Sequence, residues 1–577
     1  MVSGKNGVVA TDQTECSIIG RDVLKKGGHA ADAAVAATLC VGVVSPIDSG
    51  LGGGGFILVR LANGEAKVFD MREIAPGRAS KLTSTEIARV AHVPSMWPLN
   101  VELYNAQCLL GRRNVMWSDT SFSSPISILK SLILHIPNEP DMFSKMTRAE
   151  RKHSPLAIGV PGQLAGLYTI HQKYGKLPWE LVVKPAENLA RRGFKVSQSL
   201  FNKMVNAEST IMSDEDLRSV FAPYGEILAE GQTLRLRKLA DTLAAIAKHG
   251  MKDFYNGSIA DSLATYIQQK KGIITKEDFQ RYRVIVREPL VTRVLGHRIL
   301  TVPPPASGGA VVISVVIILK TLSKYNNKGV TASLLVHRTI EALKYALALR
   351  MRLGDPGFVN ISSALNSMIS DNTAERVKNL INDNRTFDPP HYRSKWAQLN
   401  DHGTSHLCIV DRDRNVITMT TSINTKWGSR IMSPSTGIFL NNQMYDFSVP
   451  TSKGAPGAPA NYVSAYKRPL SSMAPIILEK EGRVRAVIGS AGGILIPDAV
   501  SQLYPNKLLY EKYTSFSGDE YIYPSATISE LSRKGHTVSA VTAMTTCQFV
   551  IQRLKGNKSG LLVAISDPRK SGYPAAY

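Results

Sequence analysis

Apolar positions along this chain follow two periods, and each change of period predicts an element. Residues 7–10 form a short apolar run of strand type. Apolar residues then recur at helical spacing over 16–26 and stop at Gly27-Gly28, and the alanine-rich run 30–43 predicts a second helix ending before Pro46. Residues 68–73 read as a strand that runs out into Ala75-Pro76, and helical patterns dominate up to Ile246. Residues 302–309 (VPPPASGG) open a buried helix, another covers 337–348, and a polar linker leads to residue 404.

The most informative pattern lies in 401–447. Two apolar runs, 406–410 and 416–423, flank the polar Asp411-Arg412-Asp413-Arg414-Asn415, which predicts a β-hairpin. A turn centred near Asp413 sets Thr404 opposite Ser422. Alternation along the strand puts Ser422 and Asn424 on one face. A threonine then lies beside a hydroxyl and an amide, directly after Gly403. Strand propensity alone accounts for a threonine-rich hairpin, so chemistry has to be argued from the rest of the chain.

The chain has 577 residues, enough for several domains or one large one, and its 44% hydrophobic and 20% charged residues are those of a globular protein. A net charge of +23 raises the question of nucleic acid. The basic residues are scattered, however, and the short clusters Arg191-Arg192 and 235–238 are not interleaved with stacking aromatics. Nucleic acid is therefore excluded as a partner, and the charge reads as solubility and weak adhesion to acidic surfaces.

The five cysteines show no CxxC and no zinc spacing. Gly52-Gly53-Gly54-Gly55 follows Ser49-Gly50-Leu51 without the Lys-Ser/Thr pair of a phosphate loop, and reads as a tight turn with close backbone packing. The opening MVSGKNGVVATD carries no visible secretory signal, and the longest apolar runs, 33–44 and 310–319, are too short to span a bilayer. Sequons at Asn256, Asn360, Asn384 and Asn557 permit secretion.

The stretch Asp401-His402-Gly403-Thr404-Ser405-His406 resembles the γ-glutamyltransferase (γ-glutamyltranspeptidase, glutathione hydrolase) family, in wording closest to its plant members. The resemblance runs in order through most of the chain. It includes GGHAADAAVA, GLGGGGF, Arg72-Glu73-Ile74-Ala75-Pro76, Ala157-Ile158-Gly159-Val160-Pro161-Gly162, Leu353-Gly354-Asp355-Pro356, Asn441-Asn442-Gln443-Met444-Tyr445-Asp446-Phe447, Arg468-Pro469-Leu470-Ser471-Ser472-Met473 and Ser490-Ala491-Gly492-Gly493. Each phrase alone reads as an ordinary turn or strand end. Their joint order carries the inference.

The resemblance implies an α+β fold, a four-layer αββα sandwich of the N-terminal-nucleophile hydrolase type. It implies a precursor cut between Gly403 and Thr404 into a large subunit, residues 1–403, and a small subunit, residues 404–577, which stay together as one intertwined heterodimer. Thr404 is then the nucleophile, with its own amine as base. Ser422 orients it, and Gly492 and Gly493 form the oxyanion hole. Arg72, Ser471 and Ser472 hold the substrate carboxylate, and Asn424, Gln443 and Asp446 bind the rest of the glutamyl group.

The implied substrates are glutathione and γ-glutamyl conjugates, with water, amino acids or dipeptides as acceptors. No metal or organic cofactor is implied. The implied locations are the extracellular space or apoplast, the plasma membrane or the vacuole. Cys16 and Cys40 are placed like a pair that is joined in some animal members, which implies a disulfide; two buried thiols would look the same in sequence.

The chain departs from the family in two long stretches. Residues 81–140 have no counterpart and read as an exposed excursion or as translated intron, the second fitting the clean stop and restart of the pattern better. After Gly493 a core segment is missing, because residues 494–500 run almost at once into Gln502-Leu503-Tyr504-Pro505-Asn506. Smaller departures are Ser422 for a usual threonine, Trp427 for Phe or Tyr, where the bulk would narrow the pocket, and Arg414 for glycine. The alternative function is that of an uncleaved, inactive relative or a defective gene product, with a binding or structural role.

Overall fold

The computed structural model describes residues 1–79, 142–143, 146–325, 330–393, 395–396, 403–450, 456–502, 513–514, 520–521, 524–538, 545–554, 556 and 559–577. The insertion expected at 81–140 lies outside the described residues, as does most of the stretch after the gap expected near residue 500.

In chain order the strands are β1 (Val2–Gly4), β2 (Val8–Thr11), β3 (Gly54–Arg60), β4 (Ala66–Met71), β5 (Phe194–Lys195), β6 (Thr233–Leu234), β7 (Ile285–Arg287), β8 (Leu290–Val294) and β9 (His297–Thr301). They continue with β10 (Ser405–Val410), β11 (Val416–Ser422), β12 (Ile476–Lys480), β13 (Arg483–Ala491), β14 (Tyr513–Thr514), β15 (Glu520–Tyr521), β16 (Thr546–Gln552), β17 (Leu562–Ser566) and β18 (Ala575–Ala576). Two seven-stranded sheets hold most of them, in the orders β18-β2-β10-β11-β3-β4-β7 and β1-β17-β16-β13-β12-β9-β8. Neighbours in both sheets are antiparallel.

Strands β3, β10 and β11 are buried at every position, so they read as continuous apolar runs rather than as alternating ones. The alternation survives in what each face meets. Ile57, Val59, Leu407, Ile409, Ile417 and Met419 share a core with the helices Thr14–Lys25, Ala30–Val44, Gln163–Tyr174 and Trp179–Arg192. Phe56, Leu58, Cys408, Val410 and Val416 point the other way. They share a second core with Ile476, Leu478, Ala486 and Ile488 of β12 and β13, and with the helices Gly308–Tyr325 and Ala332–Arg350.

The expected helices form with small changes at their ends. Ala30–Val44 is buried almost all round, as its alanines and valines require, and it is capped by His29 and Asp32. A disulfide joins Cys16 on the first helix to Cys40 on the second. The hairpin has the expected register: Val410 pairs with Val416 and Ser405 with Thr421, which sets Thr404 against Ser422. Arg414 takes φ 71° in the turn, which accounts for glycine as the usual residue there, and its guanidinium donates to the carbonyls of Lys5 and Gly560.

Where the two sheets meet, Gly489 of β13 faces the buried imidazole of His406 on β10. A Cβ at residue 489 would lie 2.0 Å from His406 Cε1. A buried ion pair also crosses between the sheets, Arg60 Nε to Glu479 Oε1 at 2.7 Å. Gly489→Ala therefore overpacks this contact and is expected to destabilise the protein by about 3 kcal/mol. Calorimetric melting checks this, and His406→Ala should cost measurably less in the Gly489→Ala background than in the wild type.

Candidate active site

Antiparallel pairing brings four strand ends of the first sheet to one edge. β10 begins after Thr404, β11 ends at Ser422, β3 begins at Gly54 opposite Ser422, and β4 ends at Met71 opposite Gly55. In the second sheet Thr301 ends β9 opposite Ile476, the first residue of β12, and β13 runs past them to Ala491. The loops that leave these ends meet through Arg72, just beyond β4. Its side chain donates to the carbonyls of Pro469 (3.2 Å) and Leu470 (3.3 Å), in the segment that precedes β12.

Thr404 is buried, and its Oγ contacts the carbonyl oxygen of the preceding Gly403. Ser422 Oγ donates to the same carbonyl at 3.1 Å and accepts the backbone N–H of Asn424 at 2.7 Å. Gly403 has φ 127°, and a Cβ there would lie 2.4 Å from the carbonyl oxygen of Asn424, so only glycine fits. The carbonyl before Thr404 is thus held by one hydroxyl and touched by another.

The alternation that pairs Ser422 with Asn424 ends with the strand. Asn424 is left-handed at φ 77°, and its amide turns away to donate to the carbonyl of Asn442 at 3.0 Å. Trp427 is also left-handed, at φ 69°. Its indole packs into the core against Phe221 and Phe439.

The second group is ionic. Arg72 is fully buried and donates to Asp446 Oδ2 at 2.6 Å. Gln443 donates to the same oxygen at 2.6 Å, while its own Oε1 is buried without a hydrogen-bond partner among the described residues. Asn441 holds this turn in place: its amide donates to the carbonyls of Gly52 (2.7 Å) and Gly159 (2.8 Å), and its oxygen accepts the N–H of Gln443 (2.8 Å).

Ser471 Oγ accepts the N–H of Met473 at 3.2 Å, and Ser472 Oγ accepts from Arg350 at 2.9 Å. Gly492 and Gly493, with φ 138° and 59°, follow β13 and lead through a single helical turn into the helix Ile496–Gln502.

Three residues to which the sequence patterns assign no role belong to this surround. Lys570, half-buried in the Asp567-Pro568-Arg569-Lys570 phrase, donates to the carbonyl of Thr404 at 2.5 Å and to Asp12 Oδ2 at 3.2 Å. Burial works against its charge, but Asp12 and Asp48 outweigh burial and hold the ammonium above its ordinary range. Arg350 links Ser472 to Ser307, its Nε donating to Ser307 Oγ at 2.7 Å.

Glu73, beside Arg72, is fully buried, and among the described residues neither carboxyl oxygen has a hydrogen-bond partner. Burial pushes its carboxyl up to about 8, although Arg72 Nη1 lies only 3.7 Å away. Phrase matching cannot find these three, because their roles are set by what the fold brings against them.

The architecture recurs in the cephalosporin acylase from Bacillus halodurans, 22% identical with a TM-score of 0.75, over 100% of this chain and 96% of that one. That likeness defines the class of fold. The profile of the family Gamma-glutamyltranspeptidase matches residues 16–90 and 138–577, and the chain belongs to that family. Among its relatives, glutathione hydrolase 2 of Arabidopsis thaliana is 41% identical over 605 residues, covering 99% of this chain and 94% of that protein. Glutathione hydrolase proenzyme 1 of Schizosaccharomyces pombe is 32% identical over 605 residues, covering 100% and 85%. Among the described residues, no helix is long and apolar enough to cross a membrane.

The raised Glu73 carboxyl fixes a pH dependence. An unfolded glutamate loses its proton near pH 4.3, whereas Glu73 in the fold keeps it to about pH 8. Between these values the folded state binds more protons, so this contribution is fully present below about pH 4.3 and is lost as pH rises through 8. Melting curves from pH 5 to 8.5 should fall more steeply for the wild type than for Glu73→Gln.

Proposed function

We propose that the chain is a γ-glutamyltransferase and glutathione hydrolase that first cuts itself between Gly403 and Thr404. The observation that carries this reading is the contact of Thr404 Oγ with the Gly403 carbonyl, which also takes the Ser422 hydroxyl. Oγ attacks that carbonyl carbon, the C–N bond breaks as the nitrogen takes the hydroxyl proton, and the Gly403 acyl group sits on Oγ as an ester. Water then releases Gly403 as a carboxylate and leaves Thr404 with a free amine. Such an amine has a pKa of about 7.7–8.0 and can serve as base to its own hydroxyl. The name proenzyme borne by the S. pombe relative fits this order of events.

In the transfer reaction Thr404 Oγ attacks the γ-carbonyl of glutathione. Gly492 and Gly493 offer N–H groups to the oxyanion, and cysteinylglycine leaves with the proton. Water, an amino acid or a dipeptide then takes the glutamyl group. Arg72 and Asp446 form a buried pair of opposite charge. Such a pair suits a zwitterionic α-amino acid head, with the carboxylate toward Arg72, Ser471 and Ser472 and the ammonium toward Asp446, Asn424 and Gln443.

The two subunits, divided between residues 403 and 404, would remain one body. Strands β10 and β11 lie between β2 and β3, and β17, β16, β13 and β12 lie between β1 and β9. The helices of the first core, the two sheets and the helices Gly308–Tyr325 and Ala332–Arg350 would then stack as an αββα sandwich. The break in the family match between residues 90 and 138 supports reading most of 81–140 as foreign to the pattern, whereas 81–90 and 138–140 fall within the matched parts. The Cys16–Cys40 disulfide and the exposed sequons Asn256, Asn360 and Asn384 support an oxidising location, outside the cell or in the vacuole.

N-terminal sequencing and intact mass of the purified protein should show two pieces, the smaller beginning Thr-Ser-His-Leu. Thr404→Ala should stay a single chain and hydrolyse γ-glutamyl-p-nitroanilide at least about a thousand-fold more slowly. An uncut wild-type chain would instead favour the inactive-relative reading. Arg72→Lys keeps the charge and loses the fork. It should raise KM for the anilide on the order of ten-fold or more, with a smaller change in kcat.

A further inference from the structure

The helix Ala332–Arg350 contributes Arg350 to the surround of the candidate active site. Nearer its other end it carries a second set of ligating groups. His337 and Glu341 stand one turn apart on one face and are both fully buried. His536, part-exposed just after the helix Ser525–Arg533, comes against them, and the ligand atoms of the three all lie within 4.8 Å of one another.

The hydrogen bonds around this cluster set its chemistry. His337 Nε2 lies 2.8 Å from the backbone carbonyl of Asn382. A carbonyl only accepts, so Nε2 carries the proton and Nδ1 carries a lone pair. That lone pair faces His536 Nε2 at 2.7 Å. Glu341 Oε1 is used by Thr386 (2.6 Å) and Lys344 (3.2 Å), while among the described residues Oε2 accepts only the Tyr392 hydroxyl, at 2.8 Å, and keeps a lone pair. An imidazole fixed by a carbonyl through one nitrogen, beside a carboxylate already oriented by hydroxyls, is the outer arrangement that metal-bound histidine and carboxylate ligands have.

We propose that His337 Nδ1, His536 Nε2 and Glu341 Oε2 bind a divalent transition-metal ion of the zinc type, with water as the fourth ligand. Bonds of about 2.0–2.1 Å at tetrahedral angles put two ligand nitrogens about 3.3 Å apart. From 2.7 Å the rings need to part by only about 0.6 Å, and part-exposed His536 is the side chain with room to move. Lys344 opposes the ion but sits on Oε1, so coordination goes through Oε2. The site has no part in the proposed chemistry. If the chain is cut before Thr404, the ion would join His337 and Glu341 of the large subunit to His536 of the small one.

The experiment is a cobalt titration of the full-length, chelator-treated protein, whether cut or uncut. Expected are the visible d–d bands of a tetrahedral cobalt site saturating at one equivalent, their loss on adding zinc, and a rise in Tm with zinc. His536→Ala and the milder His536→Gln should lose both the bands and the zinc-dependent rise, with circular dichroism as the check on folding. A wild-type protein without such bands, or bands that persist in a folded His536 variant, overturns the proposal. The two imidazoles are then joined by an ordinary N–H···N hydrogen bond.

Discussion

A guanidinium with almost no exposure has to be satisfied, and the loops at this end of the fold are arranged to do so. Arg72 leaves β4 and meets Asp446 at 2.6 Å, with the carbonyls of Pro469 and Leu470 taking further N–H groups. The contact joins residues from both sides of residue 403 in the chain and from the approaches to both sheets. Removing one member of a buried pair leaves an uncompensated charge, at a cost of about 3–5 kcal/mol. Arg72 therefore ties the edge of the first sheet both to the turn that carries Asp446 and Gln443 and, through the Pro469 and Leu470 carbonyls, to the segment before β12 that carries Ser471 and Ser472.

Around that contact the strands leave little freedom of register. β10 and β11 are covered on both faces, and a slip of one residue would exchange the residues of the two cores. Gly489 adds a steric condition, because His406 fills the space where a side chain would stand. The Gly403 carbonyl is consequently delivered to Ser422 and Thr404 by the sheet itself, and a flexible loop is not asked to find that geometry.

Much of this is legible in the amino-acid sequence. The hairpin register follows from one polar turn between two apolar runs, because strand alternation leaves a single way to pair them. Arg72, Gln443, Asp446, Ser471 and Ser472 stand in recognisable local phrases, and the fold gathers them. What escapes is set by distant contacts or by local backbone. Nothing in the neighbours of Asn424 reveals its left-handed φ, which turns its amide toward Asn442. Lys570 is the most distant case: its partners Thr404 and Asp12 lie 166 and 558 residues away in the chain. Glu73 stands in the same phrase as Arg72 with no role assigned to it, and only the fold reveals its burial beside that guanidinium.

Lys570 also bears on the chemistry proposed for Thr404. An N-terminal threonine works as nucleophile and base only while its amine is neutral. The ammonium of Lys570 touches the carbonyl oxygen of that same residue, and Asp12 and Asp48 keep it charged. A fixed positive charge so near a second amine disfavours protonation of that amine. Asp12 weakens the effect, being 3.2 Å from the same ammonium. It does not reverse it, because the ammonium and not the carboxylate is what contacts Thr404. Asp12 pairs with Lys570 directly, while Asp48 pairs with Lys203 and acts on Lys570 from farther off; a cation so placed would favour the neutral form of the amine that the proposed cut frees on Thr404, which a neutral hydrogen-bond donor in its place could not do.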